Sequence, residues 1–374
     1  MTSVDRLVAL DLPNGAALRA ALERTWDSGD AAIVLDQRLP RGARERLACD
    51  ASAAAVIGAD DDHRDLDGAR PVEHGDAVVV ATSGTSGMPR LVVHTHASLG
   101  AAVAASAAVV PSGPDDHWYG CLPCSHVGGL GVLLRARASG SRLTLAPRAV
   151  PDEIDAAARD GATHVSLVPV LAGRVDLARW RAVLVGGAAA PAQYPPHVVR
   201  TYGLTESGGG VVYDGVPLPG VEVRLVDGEV QLRGPMVAPR LRDGSPLAGA
   251  DGWLATGDLG EWREGRLRVL GRGDDLIVTG GNNVWPDAVE RALADHPTVA
   301  DVAVRGVPDP EWGAVVTAWV VPTGEPPTLD VLREHAARTL PSYAVPRRLE
   351  VVAEIPRTAL GKPRRAALVS RGDG

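Results

Sequence analysis

"ATSGTSGMPRLVVHTHASL" occupies Ala81–Leu99. The apolar run "DAVVV" precedes it and the alanine-rich run "ASLGAAVAASAAVV" overlaps its end and continues beyond it. Small hydroxylated residues and glycines between two such runs predict a loop that wraps an anion. Backbone N–H groups of a glycine-rich turn at Gly84 and Gly87 suit a polyphosphate. So do the hydroxyls of Thr82, Ser83, Thr85 and Ser86, with the Arg90 cation beside them. This is not a Walker A loop: that motif ends Gly-Lys-Ser/Thr, and here the end reads Gly87-Met88-Pro89-Arg90. Taken alone, the segment also reads as an ordinary strand-to-helix turn.

Length and composition bound the alternatives. A chain of 374 residues predicts two domains. It is 45% apolar with no phenylalanine, so Ala, Val and Leu must carry the core. A net charge of -8 argues against nucleic acid as a partner, because phosphate-backbone binding needs clustered basic residues. Cys49, Cys121 and Cys124 cannot build a disulfide framework and fit a reducing compartment. The first residues lack a signal-peptide pattern, and no apolar run is long enough to span a bilayer. A cytoplasmic protein without membrane insertion is expected. A homodimer is compatible with these residues and not specified by them.

Along the chain, residues 16–26 predict a helix, and 31–36 and 53–58 short buried strands. Between 117 and 190, strand-like pieces alternate with helical ones, which predicts an α/β fold with a parallel sheet. After about 215 the texture becomes short β segments with Gly and Asp turns, a small antiparallel or barrel-like region. From 273 onward a compact α+β unit is expected, with helices at 286–295 and 328–339 and strands at 300–306 and 314–321. The expected division is therefore a large N-terminal domain over 1–271, a linker at 272–275 and a small C-terminal domain over 276–374.

Four further segments narrow the chemistry. "TYGLTESGGG" (201–210) sets Glu206 on a glycine-flanked loop, and a carboxylate near phosphate is a natural Mg²⁺ ligand. "GWLATGDLGEW" (252–262) holds Asp258 in a turn suited to accepting from ribose hydroxyls. "GRGDDLI" (271–277) follows, and "PRTALGKPRR" (356–365) places Lys362 between Gly and Pro. Each has a bland reading as a turn or a solvated charge. In order they resemble the motifs of the acyl-adenylate-forming superfamily, which includes acyl-CoA synthetases, luciferases and peptide-synthetase adenylation domains.

That resemblance implies roles. The loop at Thr82–Pro89 would grip the β- and γ-phosphates of ATP. Gly186, Gly187, Ala188 and Tyr202 would form the adenine pocket. Thr205 would contact the α-phosphate, Glu206 would hold Mg²⁺, and Asp258 with Arg272 would bind ribose. Lys362 would bridge the substrate carboxylate and the α-phosphate, where a positioned ammonium stabilises charge developing in the transition state. Asp274 would be the hinge, and Gly280 and Gly281 would line a tunnel for the CoA thiol. Four departures stand out: Ser86 and Arg90 replace the usual Thr and Lys, and Asn282 and Ala288 replace residues that are commonly Glu. The portion ahead of Ala81 is expected to be shortened.

"CLPCSHVGGLGVLLRA" (121–136) resembles the superfamily's Leu-Pro-x-x-His-x-x-Gly segment, and the resemblance implies that it leads into an acyl-pocket helix. Cys121, Cys124 and His126 could also be read as a zinc site, but no second ligand pair is evident. His126 is expected to line the acyl or CoA channel. Arg135, on an apolar helix, needs a partner, and a second substrate carboxylate would supply one; the alternative is an arginine that snorkels to the surface. With "TYGLTESGGGVVYDGVPLPG", this segment resembles the o-succinylbenzoate–CoA ligase family in its short form, in which Ser207, Gly208 and Gly209 would border an aromatic acid. The resemblance implies ATP, Mg²⁺ and CoA as cofactor and co-substrates. Rival readings are a ligase for another aromatic or short-chain acid, a carrier-loading adenylation enzyme, and a non-catalytic nucleotide-binding relative.

Overall fold

A computed structural model describes residues 5–59, 62–82, 89–187, 194–357 and 363–369. The chain divides into two compact units. One comprises Met1–Arg224, Gln231–Thr256 and Arg263–Leu267, and the other comprises Leu225–Val230, Gly257–Trp262 and Arg268–Gly374.

The first unit is built on two seven-stranded sheets. In one, the strands Ala31–Val34 and Ala55–Ile57 run parallel on either side of Leu7–Leu10, and Asp76–Thr82 runs parallel beside Ala31–Val34. In the other, Val198–Leu204, Ala182–Gly186, His164–Leu167, His117–Gly120 and Arg142–Leu145 form a parallel series. Such strands read as unbroken apolar runs because both of their faces are covered. Leu7 and Ala9 enter one core cluster while Val8 and Leu10 enter another.

The helices are α1 (Ala16–Asp27), α2 (Arg41–Asp50), α3 (His96–Ala107), α4 (Val127–Ser139) and α5 (Pro151–Arg159). Helices α3 and α4 lie between the sheets. Leu99 of α3 and Leu130 and Leu133 of α4 pack on the first sheet, while Ala105, Val132 and Ala136 pack on the second. A helix covered on both sides has no polar face, which is why "VGGLGVLLRA" shows no amphipathic period. Helices α2 and α5 cover the outer faces, where Leu47 and Ile154 are their anchors. Without phenylalanine, the largest fully buried side chain here is Trp118, at 0% exposure.

The opening stretch is a hairpin, not a loop between strand and helix. Arg90–Thr95 is a strand antiparallel to Asp76–Thr82, with Thr82 opposite Arg90, and α3 begins only at His96. The physical reason lies in "LVVHT", whose β-branched and apolar residues fit a half-buried strand. Thr95 then caps α3: its hydroxyl accepts from the Ser98 N–H (3.0 Å), and Ser98 Oγ accepts from the Thr95 N–H (3.1 Å).

The barrel-like region is a four-stranded sheet in the linear order Glu222–Val226, Glu229–Arg233, Leu254–Arg263 and Arg266–Arg272. The second unit is centred on a long antiparallel pair, Val299–Asp309 with Gly313–Pro322, which Arg348–Val351 extends in parallel. Helices α6 (Pro286–Ala294) and α7 (Leu329–Ala336) cover it through Val289, Leu293 and Leu332.

Candidate active site

In the first unit the candidate residues follow the carboxyl ends of parallel strands, where open α/β sheets place their ligands. Asp36 follows Ala31–Val34, Cys121–His126 follow His117–Gly120, Gly187 follows Ala182–Gly186, and Thr205 follows Val198–Leu204.

Glu206 stands on a short 3₁₀ turn, Thr205–Ser207, whose backbone is pinned from two sides. The Ala238 N–H donates to the Glu206 carbonyl at 2.8 Å, and His94 Nε2 lies 2.7 Å from the Thr205 carbonyl oxygen. A carbonyl only accepts, so Nε2 carries the proton and Nδ1 faces the Ser98 hydroxyl at 3.1 Å. Burial pushes the His94 ring down to about 4, and the bond to Thr205 offsets only part of that shift, so the ring is neutral at physiological pH. Arg90 Nη1 lies 3.6 Å from Glu206 Oε1. The structure thus brings Arg90 to the turn that carries Thr205 and Glu206, with His94 as the buried post beneath it.

The Glu206 carboxylate fits a magnesium ion: it is a hard oxygen donor on a pinned loop. Mg²⁺ commonly takes one or two carboxylates and completes its shell with phosphate oxygens and water. Ser207 is fully buried. Its hydroxyl accepts from the Leu204 N–H (2.9 Å) and lies 2.9 Å from the Gly209 carbonyl oxygen, so it is a strut inside the loop. Gly203 admits no side chain, since a Cβ there would sit 1.8 Å from the Gly209 carbonyl oxygen. Gly208 lies over α3, where an added Cβ would come within 3.3 Å of Ala102 and 3.6 Å of the His94 ring. Gly186 is in register with Thr201, which sets Gly186 and Gly187 beside the strand that carries Tyr202.

In the Cys121–His126 segment, His126 Nε2 lies 3.3 Å from Asp36 Oδ2. Burial would raise the Asp36 pKa, but hydrogen bonds from His126 and Arg38 outweigh it and hold the carboxyl well below the usual carboxylate range. An ionised Asp36 only accepts, so it fixes the proton on His126 Nε2. The Asn14 side chain donates to the Leu122 carbonyl (2.9 Å) and accepts from the Cys124 N–H (3.1 Å), which ties the 121–126 segment to the chain's first strand-helix connection.

Arg135 does not reach the surface through its whole guanidinium. Its Nε donates to Ser106 Oγ at 2.9 Å, Ser106 in turn bonds Tyr213 Oη at 2.8 Å, and the guanidinium carbon lies 5.6 Å from the Trp118 ring centre. Arg135 Nη1 is buried and has no hydrogen-bond partner among the described residues. Cys121 and Cys124 are buried and burial pushes both thiols up to about 12, so they stay protonated. Among the described residues no three His, Cys, Asp or Glu side chains gather into a metal cluster.

In the second unit Arg272 Nε meets Asp258 Oδ1 at 3.0 Å, so the two residues expected to bind ribose are an ion pair. Asp274 is exposed on the turn Gly273–Asp275. Gly280 (φ +53°) is required by Trp312, whose ring an added Cβ would approach to 2.8 Å; Gly281 (φ +77°) meets nothing within 4 Å. Ser83, Gly84, Thr85, Ser86, Gly87, Ala188 and Lys362 lie outside the described residues. Sequence reasoning misses Asp36, Asn14, His94, Ser106 and Tyr213. Each is an ordinary polar residue in an apolar stretch, and only the sheet topology gives it a partner.

Residues 65–239 match the family model described as AMP-binding enzyme, and residues 288–362 match the AMP-binding enzyme C-terminal domain. Fold and site together define an adenylate-forming enzyme. A probable 2-succinylbenzoate–CoA ligase of Mycobacterium tuberculosis is 41% identical over an alignment that covers 86% of this chain and 92% of that protein. The 2-succinylbenzoate–CoA ligase of Salmonella typhimurium is 35% identical, covering 69% of this chain and 61% of its own. The o-succinylbenzoate CoA synthetase of Bacillus subtilis, solved with its acyl-adenylate intermediate, superposes with a TM-score of 0.86. It is 25% identical and covers 98% of this chain and 88% of that one. The chain belongs to the 2-succinylbenzoate–CoA ligase family. No helix among the described residues is long and apolar enough to cross a membrane.

Proposed function

We propose that this chain joins 2-succinylbenzoate to coenzyme A at the expense of ATP, in the route to menaquinone. One substrate carboxylate attacks the α-phosphorus and displaces pyrophosphate, giving an acyl-adenylate. The CoA thiol then attacks the acyl carbon and AMP leaves. A magnesium ion held by Glu206 would neutralise charge on the phosphates. The chain's own residues supply position and charge. Arg90 and the segment it closes hold the leaving phosphates, Thr205 meets the α-phosphate, and Asp258, aligned by Arg272, accepts from the ribose. Gly186, Gly187, Ala188 and Tyr202 flank the adenine. Lys362 bridges the attacking carboxylate and the α-phosphate. Asp274 is the pivot between the 1–271 and 276–374 domains for the second half-reaction, in which Gly280 and Gly281 admit the thiol. The use of ATP and CoA as substrates supports a cytoplasmic location. The reaction uses residues of one chain, so a homodimer is not required by it.

The observation that carries the choice of acid is Arg135. A buried N–H without an acceptor costs about 1–3 kcal/mol, and a dicarboxylate supplies the acceptor. The carboxylate that is not activated binds Arg135 Nη1, with Ser106 and Trp118 holding the guanidinium and His126 on the same acyl side. Ser207 shapes the turn whose Gly208 and Gly209 border the aromatic ring. The test is thioester formation with 2-succinylbenzoate and with its analogue lacking the benzoate carboxylate. A charge-assisted hydrogen bond is worth about 1.5–3 kcal/mol, so Arg135→Met should lower kcat/KM for the dicarboxylate about 10- to 100-fold and leave the analogue unaffected. Equal use of both acids by the unaltered enzyme would sink the assignment.

A further inference from the structure

Helix α4 carries Gly128, Gly129 and Gly131 ahead of Arg135. Glycine is a poor residue for a helix interior, so a glycine there needs a reason. Gly129 has one in the backbone: an added Cβ would lie 2.3 Å from the Leu122 and Pro123 carbonyl oxygens. Gly131 has a different one. The three atoms nearest to a Cβ built there all belong to the Arg135 guanidinium, Nη1 at 3.3 Å, Nη2 at 3.4 Å and Cζ at 3.5 Å.

Long side chains on a helix lean towards its N-terminus and cover the residue four positions back. Arg135 does so, and the missing side chain at Gly131 lets its guanidinium lie against the helix. Ser106 Oγ holds the fork by accepting from Nε at 2.9 Å, and it shares a hydrogen bond with Tyr213 Oη at 2.8 Å. Ser106 stands on α3 and Tyr213 on the strand Gly209–Tyr213, and both are buried. A guanidinium is planar, so contacts along Nε, Cζ and Nη2 also fix the direction of Nη1. That is the buried donor with no hydrogen-bond partner among the described residues.

We propose that Gly131 is a specificity-determining residue, with Ser106 and Tyr213 as positioning residues for the same fork: together they aim Arg135 Nη1 at the second carboxylate of the acid. The inference rests on the reading of Arg135 as the partner of the carboxylate that is not activated. A methyl group at 131 would make the fork give way by a few tenths of an ångström. A hydrogen bond weakens steeply once its donor is misaligned. If Gly131 served packing alone, filling its position would harm stability. As a specificity residue it gives the opposite result, because alanine favours the helix and harms only the choice of acid.

The experiment compares Gly131→Ala, Ser106→Ala, Tyr213→Phe and Arg135→Met in the full-length enzyme. It measures thioester formation with 2-succinylbenzoate and with the analogue lacking the benzoate carboxylate, alongside urea unfolding midpoints. Gly100→Ala, in α3 where an added Cβ meets nothing within 4 Å, controls for the gain in helix propensity and should change no kinetic constant. Gly131→Ala should raise the KM for 2-succinylbenzoate about tenfold, with kcat, the KM for ATP and the analogue's kcat/KM each within about threefold. Its urea midpoint should be no lower than that of the unaltered enzyme. Ser106→Ala should act in the same direction by about 3- to 10-fold, and Tyr213→Phe by less. If Gly131→Ala does not fold, Ser106→Ala carries the test through the same selective loss. An unchanged KM for 2-succinylbenzoate in folded Gly131→Ala, or an equal loss with both acids, overturns the proposal. Discrimination between the two acids that survives in Arg135→Met overturns the reading of Arg135 itself.

Discussion

His94 offers the sharpest quantitative test, because its ring is buried, neutral and joined to the loop that carries Thr205 and Glu206. The perturbation is His94→Gln, whose amide can still donate to the Thr205 carbonyl but does not titrate. The histidine pKa falls from the ordinary 6.5 to about 4 on folding. A lowered histidine pKa means that the unfolded chain binds the proton more tightly. Its stabilising contribution is therefore present above 6.5 and is lost as pH falls towards 4. Each pH unit inside that window is worth about 1.4 kcal/mol, so moving from pH 7 to pH 4.5 should cost the unaltered protein about 2 kcal/mol through this one group.

The assay is urea unfolding at a series of pH values, followed by tryptophan fluorescence. Acid-sensitive carboxylates elsewhere act equally in both proteins. The stability difference, unaltered minus His94→Gln, isolates the ring. It should be flat above pH 7 and shrink by about 2 kcal/mol by pH 4.5. Parallel curves across this range would refute both the neutral assignment and its burial as cause.

Two further outcomes follow from close contacts and burial. Gly203→Ala would set a methyl carbon 1.8 Å from the Gly209 carbonyl oxygen and must separate two backbones. It should cost about 3 kcal/mol or more and abolish pyrophosphate exchange; a soluble variant with normal exchange would show the strand pair to be wrongly placed. Native enzyme treated with iodoacetamide at pH 8 should be alkylated at exposed Cys49 alone, because burial holds the Cys121 and Cys124 thiols near 12; rapid labelling of either buried cysteine, read by mass spectrometry, would contradict that environment.

The parallel α/β core was legible in the sequence because strands covered on both faces leave unbroken apolar runs, as in "LVAL" and "AAIV". The glycine-rich stretch and the Glu206 loop stand out in the sequence as candidates because phosphate chemistry favours particular residue types, whereas the role expected of Lys362 comes from the resemblance alone. The strand at Arg90–Thr95 was not, since hydroxyls and glycines ahead of it masked a hairpin. Nor could the sequence show that Asp36 meets His126 across 90 residues, that His94 supports Thr205 across 111, or that Arg135 ends in a buried donor with no acceptor among the described residues. Local chemistry selects which residues can bind an anion or a cation. Only the folded sheets decide which of them lie within 3 Å of one another, because such contacts depend on strand order and register rather than on neighbouring sequence.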